Sequence, residues 1–373
     1  MLKGGIPIGR VFGILLRLNY SWFIVFILVT WALSTNYFPL NYPSWSLATR
    51  IAAGVITSLL FFGSVLAHEL MHSIIAQKFG IPVRSITLFI FGGVSEIAEE
   101  PKRPKDEFRI ALAGPLTSLV IGGIFWGIFF WLRDINEFIT GMAFWLGWIN
   151  ISLAAFNLIP GFPLDGGRVL RSILWGRSKN IRTATKTTSN IGRGVGFLFI
   201  FGGIWLIFWG EWFSGLWLAF IGWFLENAAI GSYRQLAFIE TLQGHKASEI
   251  MTRNCLIVSP YLTIEQLVNE SILTSGTRCF SVAEDNHVLG LVTIRDIKSI
   301  PREQWQYKTV QEVMTPFEKL KWVKPDQDLS TVLKILTEDD INQVPVVEDR
   351  NIVGMIGRDN LLSFVSIRGE LGM

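Results

Sequence analysis

From Ile51 to about Phe79 the sequence is apolar for longer than the roughly 20 residues a helix needs to cross a bilayer, and inside that run stands His68-Glu69-Leu70-Met71-His72. A lipid-embedded backbone must satisfy its own polar groups, which restricts such a run to helix. On a helix, His68 and His72 are four residues apart and leave from one face. They can grip one zinc ion there, with Glu69 beside them, placed to accept a proton from a water that the metal activates. Ionisable residues cost about 2.5–3.5 kcal/mol each at the centre of a membrane helix. Three of them within five positions need a compensating partner, and a metal supplies one. The rival reading is a soluble core helix with two satisfied histidines, which the length of the run disfavours.

Composition extends that reading to the chain. Of 373 residues, 50% are apolar and 17% charged, with 15 Trp and 28 Phe, which is membrane composition in a chain long enough for two or more domains. A net charge of +3 gives no ground for a nucleic-acid partner. The two cysteines, Cys255 and Cys279, lie outside the apolar runs and exclude both a disulfide framework and a cysteine-rich zinc site. Besides the motif, the only histidines are His245 and His287, in the polar C-terminal third, so a third zinc ligand in the membrane half must be a carboxylate. No cleavable signal peptide is evident, and the first apolar run is expected to remain as a span.

Six spans are expected, at roughly 19–36, 51–79, 108–132, 140–159, 195–210 and 212–231, making this a polytopic α-helical membrane protein. Basic residues crowd the N-terminus and the loops after spans two and four, whereas the opposite loops hold only Arg50 and Arg133. The alternation places both termini in the cytosol, with the HExxH motif nearer the cytosolic end of its span.

Between spans two and three, 81–94 is rich in β-branched and aromatic residues and reads as a strand, with Gly92-Gly93 as a hairpin turn. A free strand edge there could hold an extended substrate by β-addition. Ala113-Gly114-Pro115 opens span three with small residues suited to close packing, to which no chemistry is assigned. Span four ends in Asn157-Leu158-Ile159-Pro160-Gly161-Phe162-Pro163-Leu164-Asp165-Gly166-Gly167, whose prolines and glycines build a turn. Asp165 lies on the cytosolic side with the motif and is the best-placed third ligand, although a turn aspartate can also cap backbone groups. Glu96, Glu99, Glu100, Asp106 and Glu107 are rivals in a charged, solvated run, and Glu226 is an intramembrane acid without an evident partner. Asn157 could donate to a substrate carbonyl or to its own helix.

From about Lys246 the composition turns soluble and a unit repeats. Glu249-Ile250-Met251-Thr252 recurs as Glu312-Val313-Met314-Thr315, Ser259-Pro260 as Lys324-Pro325, and Gly290-Leu291-Val292-Thr293 as Gly354-Met355-Ile356-Gly357, 63 to 65 residues apart. Each copy alternates short strands and helices, an α+β pattern.

On these motifs, residues 1–235 resemble the site-2 protease family of intramembrane zinc metalloproteases. The matching elements are HExxH, Gly92-Gly93, Ala113-Gly114-Pro115 and Asn157-x-x-Pro160-x-x-x-x-Asp165-Gly166. The resemblance implies zinc held by His68, His72 and Asp165, with Glu69 as general base. It implies substrate contacts at Asn157, Gly92 and Gly93, and regulated cleavage of membrane-spanning protein substrates within a lipid bilayer, that of the cell membrane. After a linker at 236–245, residues 246–304 and 305–373 resemble a tandem pair of cystathionine-β-synthase-type (CBS) domains. That implies an adenosine nucleotide and leaves room for homo-oligomers formed through the pair. The ribose pattern Gly-x-x-Thr-x-x-Asp survives in the first copy as Gly290, Thr293 and Asp296. The second copy has Gly357 and Asn360 at the equivalent places, losing a hydroxyl and a carboxylate, so at most one good nucleotide site is expected in the pair. Two other readings stand beside the protease: a channel or transporter regulated by the CBS pair, and a catalytically silent scaffold.

Overall fold

The structure, a computed structural model, describes residues 5–90, 92–97, 100–253, 256–285, 287–339, 341–349 and 351–371. Lys3, Phe91, Glu99 and Cys255 lie outside the described residues. The chain divides into two compact units, Met1–Leu236 and Ala237–Met373.

Six helices in the described residues are long and apolar enough to cross a membrane. The first pairs α1 (Tyr20–Ala32) with α2 (Phe38–Asn41) through a π-helical turn at Leu33–Tyr37. It starts where the Asn19 side chain accepts from the Ser21 amide at 3.0 Å, satisfying one of the free donors of the first turn. The 32-residue α3 (Leu47–Lys78) begins in the same way at Ser46. Next come α4 (Pro104–Leu132), with proline at its start where no amide is needed, and α5 (Glu137–Asn157). The short α6 (Asp165–Ser178) separates α5 from the last two spans, α7 (Ile181–Phe208) and α8 (Trp212–Leu242).

Several local features differ from the sequence reading; one is the linker expected at 236–245, most of which continues α8 as far as Leu242. The N-terminus forms a hairpin, β1 (Gly5–Val11) and β2 (Ile14–Asn19), that joins β3 (Val83–Phe89) and β4 (Gly92–Ile97) in one sheet of order β1-β2-β3-β4. β2 runs parallel to β3, and the other pairs are antiparallel. Gly92 and Gly93 are not the turn but the first residues of β4, paired with Phe89 and Leu88. Asp165 sits at the first position of a helix rather than in a turn. α7 starts at Ile181, well before the apolar run, because Ala184, Thr185, Thr188 and Ser189 are buried along one side of its polar first turns.

The α7–α8 hairpin is packed through glycine. A Cβ at Gly203 would strike the backbone of Gly215 and Ala219, and one at Gly196 would meet that of Gly222 and Glu226, so the two backbones approach as closely as small residues allow. Glu226 does have a partner: its Oε1 lies 3.4 Å from Nε of Arg193, which belongs to the interior of α7 rather than to a loop.

α4 is packed against α3, α5 and α6. Its buried stripe includes Glu107, Ile110, Gly114 and Ser118, spaced three or four apart and therefore on one face. Glu107 was expected in a solvated run; it is fully buried, because Arg171 of α6 donates Nε to its Oε1 at 2.6 Å. Glu100 adds a longer contact, 3.5 Å from Nη1, and the guanidinium lies 5.3 Å from the centre of the Phe162 ring. Removing one partner of such a buried pair costs about 3–5 kcal/mol.

In the second unit β5 (Ile257–Val258), β6 (Cys279–Glu284), β7 (His287–Thr293) and β8 (Thr315–Pro316) form one sheet, and β9 (Gln343–Glu348) with β10 (Asn351–Gly357) a hairpin. The two repeats exchange leading segments. Ala247 is buried with Leu329, Val344 and Ile356 of the second copy, and Val310 with Ile264, Phe280 and Val292 of the first.

Candidate metal centre

Three donor atoms meet beside α4. Asp165 Oδ2 is 3.1 Å from Nε2 of His68 and 3.1 Å from Nε2 of His72, and the two nitrogens are 3.2 Å apart. The α3 period brings the imidazoles together; the turn between α5 and α6 delivers the carboxylate. Zinc binds nitrogen and oxygen at about 2.0–2.2 Å in a tetrahedron, so donors a little over 3 Å apart match three of its corners and leave the fourth open. The histidines are 4% exposed, and the aspartate side chain 15%.

Both rings are held from behind, at the nitrogen that faces away from the trio. His72 Nδ1 lies 2.6 Å from the Ile110 carbonyl oxygen, which can only accept, so Nδ1 carries the proton and Nε2 presents its lone pair. His68 Nδ1 lies 2.9 Å from the buried hydroxyl of Ser118.

Space is reserved at the same point. A Cβ at Gly114 would collide with His72 Nε2 and lie 2.5 Å from His68 Nε2. The absent side chain keeps clear the side of the ring nitrogens from which an ion would be held. This corrects the packing role expected of Gly114: what approaches it closely is the imidazole pair, not a neighbouring backbone. The donor set, its spacing and this clearance all fit a zinc ion.

Glu69 is half-buried next to the trio, and Ser95 of β4 donates its hydroxyl to Oε2 at 2.8 Å. Ser73 donates to the Glu69 backbone carbonyl at 3.0 Å. Gly93 passes so close that a Cβ there would collide with Glu69 Cγ, and Gly92 takes a φ of +122°, which suits glycine. The doublet therefore gives β4 clearance over Glu69. β4 pairs only with β3 among the described residues, leaving its other edge free.

Asn157 ends α5 and donates Nδ2 to Leu153 O at 3.0 Å, the bond to its own helix. Thr293 and Asp296 lie in the second unit and cap the helix Ile294–Lys298. The Thr293 hydroxyl and amide both donate to Asp296 Oδ2, at 2.7 and 2.9 Å. They line a cavity of about 980 Å³ together with Arg278, Lys298, Lys319 and Arg358. In the second copy Gly357 supplies no hydroxyl, and Asn360 accepts from its amide at 2.8 Å.

Sequence reasoning missed Ile110, Ser118 and Ser95. The first two carried a faint signal, since with Gly114 they fall at helical spacing on one face of α4. Ser95 carried none.

Residues 56–137 and 133–202 match the model of Peptidase family M50, and residues 247–303 and 310–367 match the CBS domain. A protein of Synechocystis sp. named as a zinc metalloprotease is 35% identical over 366 residues, 97% of this chain and 95% of that one. The zinc metalloprotease MJ0392 of Methanocaldococcus jannaschii is 30% identical over 360 residues, 96% of this chain and 95% of its own length. The chain belongs to peptidase family M50. Among solved structures, the site-2 protease from Methanocaldococcus jannaschii aligns with 62% of this chain and 95% of its own, at 31% identity and a TM-score of 0.44. This M50 peptidase is a multi-pass membrane metalloprotease with a C-terminal pair of CBS domains.

Proposed function

We propose that this M50 peptidase hydrolyses peptide bonds within membrane-spanning protein substrates, with zinc held by His68, His72 and Asp165. The observation that carries the reading is the meeting of an aspartate with two histidines 93 and 97 residues away, beside a glutamate that holds no place in the trio. When bound, zinc supplies Lewis acidity, lowering the pKa of a coordinated water and polarising the scissile carbonyl. Glu69 takes the proton as water attacks and passes it to the leaving amine. Ser95 keeps the Glu69 carboxylate turned by its 2.8 Å hydrogen bond.

A substrate helix satisfies its own backbone and must unwind before it can be cut. The free edge of β4 offers an unwound segment backbone partners next to Glu69. Gly92 and Gly93 let that edge approach the base, and Asn157 contacts substrate near the metal by turning from Leu153. Both termini are assigned to the cytosol on the strength of the basic loops, and the protein to the cell membrane on its resemblance to site-2 proteases. In the second unit an adenosine nucleotide at Thr293 and Asp296 gates the protease, supported by the cationic side chains lining that cavity.

The test is Glu69→Gln in purified, zinc-loaded protein with a model membrane substrate. Cleavage is expected to fall steeply while zinc stays bound; full cleavage by the variant ends this mechanism. For the gate, titration with AMP and ATP should give heat and a thermal shift, and the absence of both removes it.

A further inference from the structure

We propose that the buried Arg171–Glu107 pair is a positioning latch that sets Asp165 against the two histidines; this rests on the metal-site reading above.

Asp165 comes from the one helix of the centre that is short. α6 has 14 residues, and it comes after a loop of two prolines and a glycine at 158–164. That loop is closely packed: a Cβ on Gly166 would strike the carbonyls of Leu158 and Ile159, and one on Gly167 would strike Gly161. Such packing fixes how near α6 lies to the end of α5, and α6 also packs on α4 and α7. Arg171 adds a directed tie that helps to set how far the helix is turned about its own axis. It stands six residues after Asp165, about 9 Å along a helix, and its guanidinium is anchored to α4 through Glu107.

Glu107 shares its stripe of α4 with the groups that hold the imidazoles. Three residues on, the Ile110 carbonyl accepts a hydrogen bond from His72 Nδ1; seven on, Gly114 clears both Nε2 atoms; eleven on, Ser118 meets His68. One face of one helix thus fixes all three donors, two directly and the third through Arg171. Within this fold a stability role alone does not require an ion pair here, since an apolar pair of similar volume serves at least as well for stability. What the pair supplies is a directed, two-contact junction between the helices. Arg171 and Glu107 touch neither substrate nor the reacting atoms and are positioning residues.

The test uses the full-length protein in detergent or nanodiscs and reads zinc affinity by competition with a chromogenic chelator, alongside thermal unfolding of the zinc-free protein. Glu107→Gln and Arg171→Gln should each weaken zinc binding about 10–100-fold, the range seen when outer groups of a metal site are removed. Arg171→Lys should recover part of the loss. The apolar pair Glu107→Leu with Arg171→Met guards against misfolding: it should unfold at or above the wild-type temperature and still bind zinc at least 10-fold more weakly. In the Asp165→Ala background, Arg171→Gln should weaken zinc no further, because the latch acts through that carboxylate. Wild-type zinc affinity in the apolar pair overturns the latch, as does a full additive loss on top of Asp165→Ala. If His68→Ala and Asp165→Ala themselves leave zinc binding intact, it is the metal site that fails, and the two failures are distinguished.

Discussion

The metal centre and the Thr293–Asp296 turn both gather polar side chains, but they hold them over very different distances. At the metal centre the partners lie 38, 50 and 97 residues apart: His72 with Ile110, His68 with Ser118, His68 with Asp165. In the second unit Thr293 and Asp296 are three residues apart and satisfy one another within a single helical turn. Geometry held across elements is only as good as the packing of those elements, and it fails as a whole. A local turn fails locally, at the cost of one cap.

That contrast orders the expected effects. Glu69→Gln should lower the cleavage rate by about 10²–10⁴-fold with zinc retained, measured as turnover of a membrane substrate beside metal analysis. Gly114→Ala should come next, lowering zinc affinity about 10–100-fold, since the added methyl meets the Nε2 atoms; zinc per chain after dialysis against a chelator reads it. Gly93→Ala, the same change one element away, should leave zinc in place and lower kcat, by up to about 10²-fold, because it pushes on Glu69 and, less closely, on Leu88, not on the ring nitrogens. If the two alanines cannot be told apart by their zinc content, base and ligands are not separately held.

The local turn should give smaller numbers. Thr293→Val removes an N-cap and should cost about 1 kcal/mol, seen as a lower denaturant midpoint for the second unit in the full chain. A larger loss would place Thr293 among the long-range contacts. The smallest effect is on pH. Burial pushes the Asp328 carboxyl up, but hydrogen bonds from Ser330 and from the Gly244 amide hold it below the usual range. Its contribution is complete above the unfolded value, about 3.9, and is lost as pH falls through the lower folded value. Acid unfolding of the second unit should therefore shift to higher pH in Asp328→Asn.

Features set by spacing and residue chemistry were the most legible in the sequence. His68 and His72 announce one face of a helix, and a span rich in Leu and Phe announces itself by length. The repeat of Glu249-Ile250-Met251-Thr252 at 312–315 announces the duplicated unit. Asp165 was legible as one acid among several, singled out by its glycine- and proline-rich surroundings. α6 was not, because the prolines and glycines around its start read as a turn and its arginines as loop charge. The β1–β2 hairpin lay hidden beside a basic N-terminus, and its pairing with β3 joins residues some seventy positions apart. Ser118, Ser95 and Glu107 are ordinary residue types. What gives them a place is a partner that no local window contains.

The Ile110 carbonyl adds a consequence of another kind. Because the backbone makes that contact, residue 110 can change its side chain without altering the bond to His72. The length of α4 has no such freedom. One amino acid inserted between Ile110 and Ser118 would swing everything beyond it by about 100°, carrying the hydroxyl away from His68 while leaving the HExxH sequence untouched. Relatives of this chain should therefore tolerate an apolar exchange at residue 110 far better than an insertion or deletion between it and Ser118, and a variant lengthened by one residue there should fail even though every residue named in its motifs is still present.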